Sequence, residues 1–202
     1  MSRKNDIPII LASASPKRRE LLEQLGISFR VVVSDCLEDM SQTKNPHKLV
    51  RILSREKARC VAGEHPNAIV IGADTFGVLG KKFLGKPENE KEAATMIRQL
   101  GGRMHLAITG LTIIDTRKKK ERLYVATTKV WFRKVSPAEI AWYIQSGEWK
   151  GKAAAYTVLS RAGAFIERIE GELGTILGLP LATLTNALSK DFGIKLPTIS
   201  RF

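Results

Sequence analysis

Short apolar runs alternate along the chain with stretches of helical period and with turn residues, which predicts an α/β or mixed α+β fold. Ile7 to Ala12 reads as a buried strand. Ser15-Pro16 supplies a helix N-cap followed by proline at the first helical position, and this helix runs to about Leu25, where Gly26 stops it. Phe29 to Val33 is a second strand, and Asn45-Pro46 opens a helix through about Ala62 by the same cap-then-proline logic. Ala68 to Ala73 is a near-continuous apolar run ending in Asp74. Asn89 with Glu92 three residues later matches a capping box, Ala93, Met96, Ile97 and Leu100 follow at helical spacing, and Gly101-Gly102 closes the helix. Strands are expected near Leu106 to Asp115 and Leu123 to Lys134, joined through Thr116-Arg117-Lys118-Lys119-Lys120, a basic run that reads as a solvated hairpin tip. Ser136-Pro137-Ala138-Glu139 opens a helix ending near Gly147, and Gly178-Leu179-Pro180 precedes a last helix from about Ala182 to Ser189. No internal repeat or low-complexity segment interrupts this order.

Composition narrows the class. With 202 residues, 44% hydrophobic and 26% charged, the chain can bury roughly 70% of its unfolded surface and needs no covalent staples. Two cysteines, Cys36 and Cys60, are too few for a disulfide framework or a structural zinc site, and His47, His65 and His105 are scattered, so reduced thiols in a cytoplasmic protein are expected. No apolar run approaches the ~18 residues of a membrane span. The apolar stretch from Ile7 to Ala14 is broken by Pro8, followed at once by Lys17-Arg18-Arg19, and too short for a signal sequence. A net charge of +13 attracts polyanions or phosphorylated small molecules without choosing between them.

Three segments carry candidate chemistry. Lys17, Arg18 and Arg19 sit in the first turn of a helix, where the macrodipole is already positive; an anion bound by them, by exposed backbone N–H groups and by Ser13 would reverse that cost. The alternative is a basic surface turn whose long side chains reach away. Asp74, closing a buried strand in Gly72-Ala73-Asp74-Thr75, stands where α/β sheets bind ligands and suits a general base or a divalent-cation ligand; a turn-capping aspartate is the plainer reading. Lys57 lies four residues after Leu53 and four before Val61, on the apolar face of its helix, and either snorkels at the core's edge or points into a cavity. Lys86, in Leu84-Gly85-Lys86-Pro87, and the acidic Glu38-Asp39 pair complete an inventory suited to a phosphate chain with a hard cation. No Gly-rich phosphate loop, Ser-His-Asp arrangement or close His/Cys set is present, so attack by an activated water fits better than covalent catalysis or zinc.

In order and spacing, Leu11-Ala12-Ser13-Ala14-Ser15-Pro16-Lys17-Arg18, Arg55-Glu56-Lys57-Ala58, Gly72-Ala73-Asp74-Thr75, Leu84-Gly85-Lys86-Pro87, Thr109-Gly110, Lys152-Ala153-Ala154-Ala155-Tyr156 and Gly178-Leu179-Pro180 resemble the Maf family over nearly the whole chain. The resemblance implies one domain over residues 1–202, with a mixed sheet, flanking helices and two lobes about a central cleft, similar to the inosine triphosphatases. It further implies a cytoplasmic house-cleaning nucleoside triphosphate pyrophosphatase, often dimeric, that uses Mg2+ or Mn2+ to cut between the α and β phosphates. In that reading Asp74 activates water and binds the metal with Glu38, while Ser13, Arg18, Lys57 and Lys86 hold the triphosphate and stabilise developing charge, and Lys152 lines the cleft.

Base selection is where the chain departs from its relatives. The branch that takes thymidine and uridine triphosphates has Arg at the place of Lys17, Thr at Thr75 and Gln at Leu159, so only Thr75 matches. Lys replaces a planar fork by a point charge, and Leu removes a base-edge hydrogen bond. Gly151 and Ala154 likewise stand where the family commonly has Asp and Gly. The alternatives are a pyrophosphatase for 7-methylguanosine triphosphate, a non-catalytic nucleic-acid-binding module, and a regulator of cell division acting through protein contacts. Aromatic residues make up only 6% of the chain and its basic residues are dispersed, which argues against nucleic acid as a partner.

Overall fold

The structure, a computed structural model, describes residues 7–194; the rest of the expected 1–202 domain lies outside the described residues. In chain order the elements are β1 (Ile9–Ala12), α1 (Pro16–Glu23), β2 (Phe29–Val31), α2 (Pro46–Glu64), β3 (Ile69–Leu79), β4 (Lys82–Leu84), α3 (Glu90–Leu100), β5 (Met104–Asp115), β6 (Lys120–Phe132), α4 (Pro137–Gln145), β7 (Ile166–Glu170), α5 (Leu173–Leu177) and α6 (Leu181–Lys190). The strands form one mixed sheet in the order β2-β1-β3-β5-β6-β7, with β4 added beside β3. β1 runs parallel to β2 and β3, and the remaining pairings are antiparallel. The expected mixed sheet with flanking helices is present.

Side-chain caps start α1, α2, α3 and α4 where the sequence placed them, while α6 begins without one. Ser15 accepts from the Arg18 amide at 3.4 Å and Asn45 from Lys48 at 3.1 Å, each ahead of a proline at the first helical position. Asn89 accepts from the Glu92 amide at 3.0 Å, but the Glu92 carboxylate turns to the Glu88 amide, 2.8 Å away, so the expected reciprocal box is half made there. Ser136 and Glu139 make it in full.

Alternation along β1 and β3 divides the core. Ile9, Leu11, Ile69, Ile71 and Ala73 face α1 and α6, whereas Ile10, Ala12 and Val70 face Ala58 and Val61 of α2. A separate cluster gathers α3, α4 and the end of β6 around Ile97, Leu100, Phe132, Tyr143 and Phe165. Two glycines let α2 approach the sheet. A Cβ on Gly72 would stand 2.6 Å from the Ser54 carbonyl oxygen, and one on Gly110 only 2.2 Å from that of Val50. Between them Ser54 Oγ meets Thr112 Oγ1 at 2.9 Å.

Three expectations are corrected. The strand read as ending in Asp74 continues to Leu79, because antiparallel pairing with β5 runs from Ile69 to Val78 and β4 joins its end, partners that the apolar run does not reveal. β7 and α5 were not foreseen: their short segments carry neither a long apolar run nor a capping pattern. Cys36 and Cys60, expected as reduced thiols, are joined by a disulfide with Cα atoms 6.4 Å apart; the segment after β2 folds back over α2, which a spacing of 24 residues does not announce. The basic tip behaves as expected: Arg117, Lys118 and Lys119 are exposed, and the Asp115 carboxylate accepts from the Arg117 and Lys118 amides at 3.1 Å. Among the described residues no helix is long and apolar enough to cross a membrane.

Candidate functional site

Asp74 lies within β3, opposite Gly110 of β5, but the parallel neighbour β1 stops at the Ala12–Gly72 pairing. Two residues past that point the β1 side of the strand opens, so the carboxylate still stands at the carboxyl edge of the parallel part of the sheet. Asp74 is 5% exposed. Its Oδ1 pairs with Lys57 Nζ, and its Oδ2 is buried without a hydrogen-bond partner. Burial pushes its pKa above the ordinary carboxylate value; Lys57 and then Arg18 oppose the rise, and Glu38 adds to it.

Lys57 points inward rather than snorkelling. Its side chain is 12% exposed and its ammonium bridges Asp74 and Glu38, the latter at 3.0 Å. The close seat of α2 against Gly72 and Gly110 is what brings this lysine within reach of β3. Glu38 comes from the irregular segment between β2 and α2 and is half exposed.

Arg18, in the first turn of α1, reaches across the edge of the sheet. Nη1 donates to Ser13 Oγ at 3.2 Å, Nη2 to Thr75 Oγ1 at 3.3 Å and Nε to the Gly178 carbonyl at 2.8 Å. All three acceptors are neutral, so the guanidinium keeps a charge that an anion can match. Burial lowers its pKa, and Asp74 and Glu38 counter that effect from a distance. Thr75 Oγ1 meets Thr109 Oγ1 at 2.9 Å, and Thr109 donates to the Thr175 carbonyl at 2.7 Å. Gly178, at φ +95°, holds its carbonyl toward Arg18; a Cβ there would sit 3.1 Å from Nε.

Two sets of contacts therefore meet at the adjacent residues Asp74 and Thr75: Glu38, Lys57 and Asp74 joined by ion pairs, and Ser13, Arg18 and Thr75 joined by hydrogen bonds. Lys86 and Lys152 join neither: both are exposed, and among the described residues neither side chain has a hydrogen bond or ion pair. They stand on neighbouring loops, since the Ala154 amide donates to the Gly85 carbonyl at 2.9 Å, and the β3–β4 pairing ends at Gly77–Leu84, two residues from both Thr75 and Lys86. Lys17 pairs with Glu20 at 2.5 Å and, with Leu159, Leu173 and Leu177, lines a groove of about 290 Å³ beside α1. Leu159 is 60% exposed at its rim.

Thr109 and the carbonyls of Thr175 and Gly178 were not singled out as site groups from sequence. A backbone carbonyl has no sequence signal, and Gly178 meets Arg18 across 160 residues. The pair of His105 and Tyr156 also escaped notice. His105 Nε2 and Tyr156 Oη lie 2.6 Å apart in the core, anchoring the chain just after the turn that follows Lys152, where Ala154 and Ala155 adopt positive φ of 57° and 63°. Burial lowers the His105 pKa to about 4. The unfolded chain therefore takes up this proton first as pH falls, and the neutral imidazole's stabilisation is lost between about pH 6.5 and 4. A loss on the order of 3 kcal/mol is expected in that window. Urea unfolding of wild type and His105→Gln across the window checks it; equal pH slopes would refute the assignment.

A hard divalent cation takes oxygen ligands, commonly one or two carboxylates completed by substrate phosphates and water. The unpartnered Oδ2 of Asp74 and the half-exposed Glu38 fit that donor set, although no group of three or more His, Cys, Asp or Glu side chains gathers among the described residues.

Comparison with known proteins places this geometry in context. Residues 8–191 match the family described as Maf-like protein. The dTTP/UTP pyrophosphatase of Pelotomaculum thermopropionicum is 44% identical over 182 residues, covering 90% of this chain and 95% of the relative. Those of Thermoanaerobacter sp. strain X514 and Myxococcus xanthus are 42% and 41% identical over 189 residues, covering 93% and 94% of this chain and 98% and 94% of theirs. The Staphylococcus aureus Ham1 protein structure overlaps 62% of this chain and 71% of its own at a TM-score of 0.45 and 11% identity, too slight a likeness to argue from.

Proposed function

The chain belongs to the Maf-like family, and from that premise we propose that it hydrolyses the α–β anhydride of pyrimidine nucleoside triphosphates, yielding the nucleoside monophosphate and pyrophosphate. The observation that carries the reading is Asp74: a buried carboxylate of raised pKa, one oxygen held by Lys57 and the other unpartnered at the open edge of the sheet. Oδ2 takes the proton of the attacking water as oxygen approaches the α phosphorus. Lys57 fixes the carboxylate's direction and offsets its charge. Arg18, with its three neutral acceptors, and the basic first turn of α1 face the phosphate chain and favour the charge that grows on the departing pyrophosphate. Lys86 and Lys152, unpaired among the described residues on adjoining loops, turn to the same chain once substrate is present.

Asp74 and Glu38 are the residues that would hold Mg2+ or Mn2+. Bound there, the cation supplies charge neutralisation on the phosphates. The base enters the groove lined by Lys17 and Leu159, and Thr75 is held in a chain of hydroxyls that leaves it one orientation. The enzyme is read as cytoplasmic, with no membrane or nucleic acid as partner, and as a homodimer by analogy with the family.

Incubating the purified protein with dTTP, UTP, CTP, purine triphosphates and 7-methylguanosine triphosphate, with and without Mg2+ or Mn2+, tests this. Metal-dependent release of pyrophosphate with the matching monophosphate is expected from dTTP and UTP. Orthophosphate and a diphosphate as products, or no turnover by the folded protein, would overturn the reading; preference for 7-methylguanosine triphosphate would move the substrate while keeping the chemistry.

A further inference from the structure

We propose that the Cys36–Cys60 pair is a thiol–disulfide exchange site that sets the placement of Glu38 against Lys57. The proposal rests on the functional reading of Glu38 and Asp74 given above. Glu38 belongs to the segment 32–45, which has neither helix nor strand, and residues 37–42 are all exposed. Val32 at its start packs against Ala58 and Val61 and Asn45 at its end caps α2; between them its side-chain ties to α2 include the Glu38–Lys57 ion pair at 3.0 Å, a Gln42–Glu56 hydrogen bond at 3.1 Å and the disulfide. The two polar ties each rest on a half-exposed or exposed partner, Glu38 or Gln42, and such ties contribute little by themselves. The covalent one anchors the segment two residues before Glu38 and reaches α2 one turn after Lys57, on the same side of the helix. Oxidised, the protein holds Glu38 close to a fixed point; reduced, Glu38 stands seven residues from the end of β2 and eight from the start of α2, and ordering it costs chain entropy.

Both cysteines are half-buried, within reach of a small thiol. In the opening direction a low-molecular-weight thiolate attacks one sulfur, breaking the protein disulfide and forming a mixed disulfide. A second thiolate displaces the first, so the two small thiols leave as their disulfide while the protein gains two electrons and two protons as two thiols. Closing is the reverse, with a low-molecular-weight disulfide as oxidant. The freed Cys36 sulfur lies 3.7 Å from the Glu56 carbonyl, to which its S–H would donate only a weak bond.

The whole protein is equilibrated in buffers of varied oxidised-to-reduced glutathione ratio, its free thiols trapped by alkylation and counted by mass. Amide hydrogen exchange of residues 34–44 and pyrophosphate release from dTTP are followed in parallel. Reduction is expected to speed exchange in that segment about tenfold, leave α4 unchanged and lower kcat/KM about tenfold. Cys36→Ser and Cys60→Ser should each match the reduced wild type in either buffer, and Glu38→Gln should keep the exchange difference while losing the redox response of turnover. Thiols that stay fully alkylated at every ratio, or equal exchange in both states, would overturn the proposal. If neither state turns over dTTP yet the segment still responds, the exchange site stands and the nucleotide reading falls.

Discussion

Asp74→Asn is expected to lower kcat by about 10³-fold, the contribution of a positioned general base, with the protein still folded. Asparagine keeps the size of the side chain and can still meet Lys57, but its amide cannot take the proton of water. Stability should not suffer. Folding raises the Asp74 pKa, so the stability linked to this group is full below the unfolded carboxylate value and is lost as pH rises through the folded one. Wherever the carboxylate is ionised it is therefore a cost that the substitution removes, and Lys57 retains Glu38 at 3.0 Å. The unfolding midpoint is expected to stay within about 3 °C of wild type or rise. Single-turnover rates and calorimetry decide it: a variant with most of its activity, or one that unfolds far below wild type, contradicts the assigned role. The same raised pKa predicts that wild-type kcat declines on the acid side at a higher pH than an ordinary aspartate would give.

Gly110→Ala should act the other way round, through the fold first. The added methyl would meet the Val50 carbonyl oxygen at 2.2 Å and Val50 C at 2.5 Å, and backbone of a helix cannot swing aside as a side chain does. Relief requires α2 to lift from β5. Overpacking of this kind costs about 3 kcal/mol, and it shifts Lys57 away from Asp74, which pairs in register with Gly110. A loss of kcat of about 10²-fold is expected even where the protein is fully folded, since small misplacement of a charged group is enough. Denaturation curves and kcat measured below the transition separate the two effects. A variant as stable as wild type would show that the helix is not held against the sheet as described.

What could be seen in the sequence was mostly local. Ser15-Pro16, Asn45-Pro46 and Ser136-Pro137 mark helix starts because cap and proline act within one turn, and Lys57 stood out because a cation on an apolar stripe is itself an anomaly. Asp74 was singled out for a partly mistaken reason. The apolar run stops before it, yet the strand continues; what ends there is the neighbour β1, a fact held in the pairing and not in β3's own residues. The partners of Arg18 were hidden for a similar reason, lying 57 and 160 residues away and including a carbonyl that any residue could supply. The cysteines show the limit of compositional inference: two thiols in a chain of this kind suggest reduction, but pairing depends on whether a loop returns to a helix.

The longest strands also constrain how the molecule can move. β3 and β5 stay in unbroken register from Ile69–Asp115 to Val78–Leu106, so they pass from the cluster against α1 and α6 to the cluster around Leu49, Val50 and Leu53 of α2 without interruption. A hinge across these strands would have to cross that ladder and break its hydrogen bonds together. On the proposed reading, closure over a nucleotide is left to torsion of the sheet and to the loops carrying Glu38, Lys86 and Lys152. On that same reading, Asp74 and Thr75 on β3 are then a stationary floor beneath the loops that carry Glu38, Lys86 and Lys152.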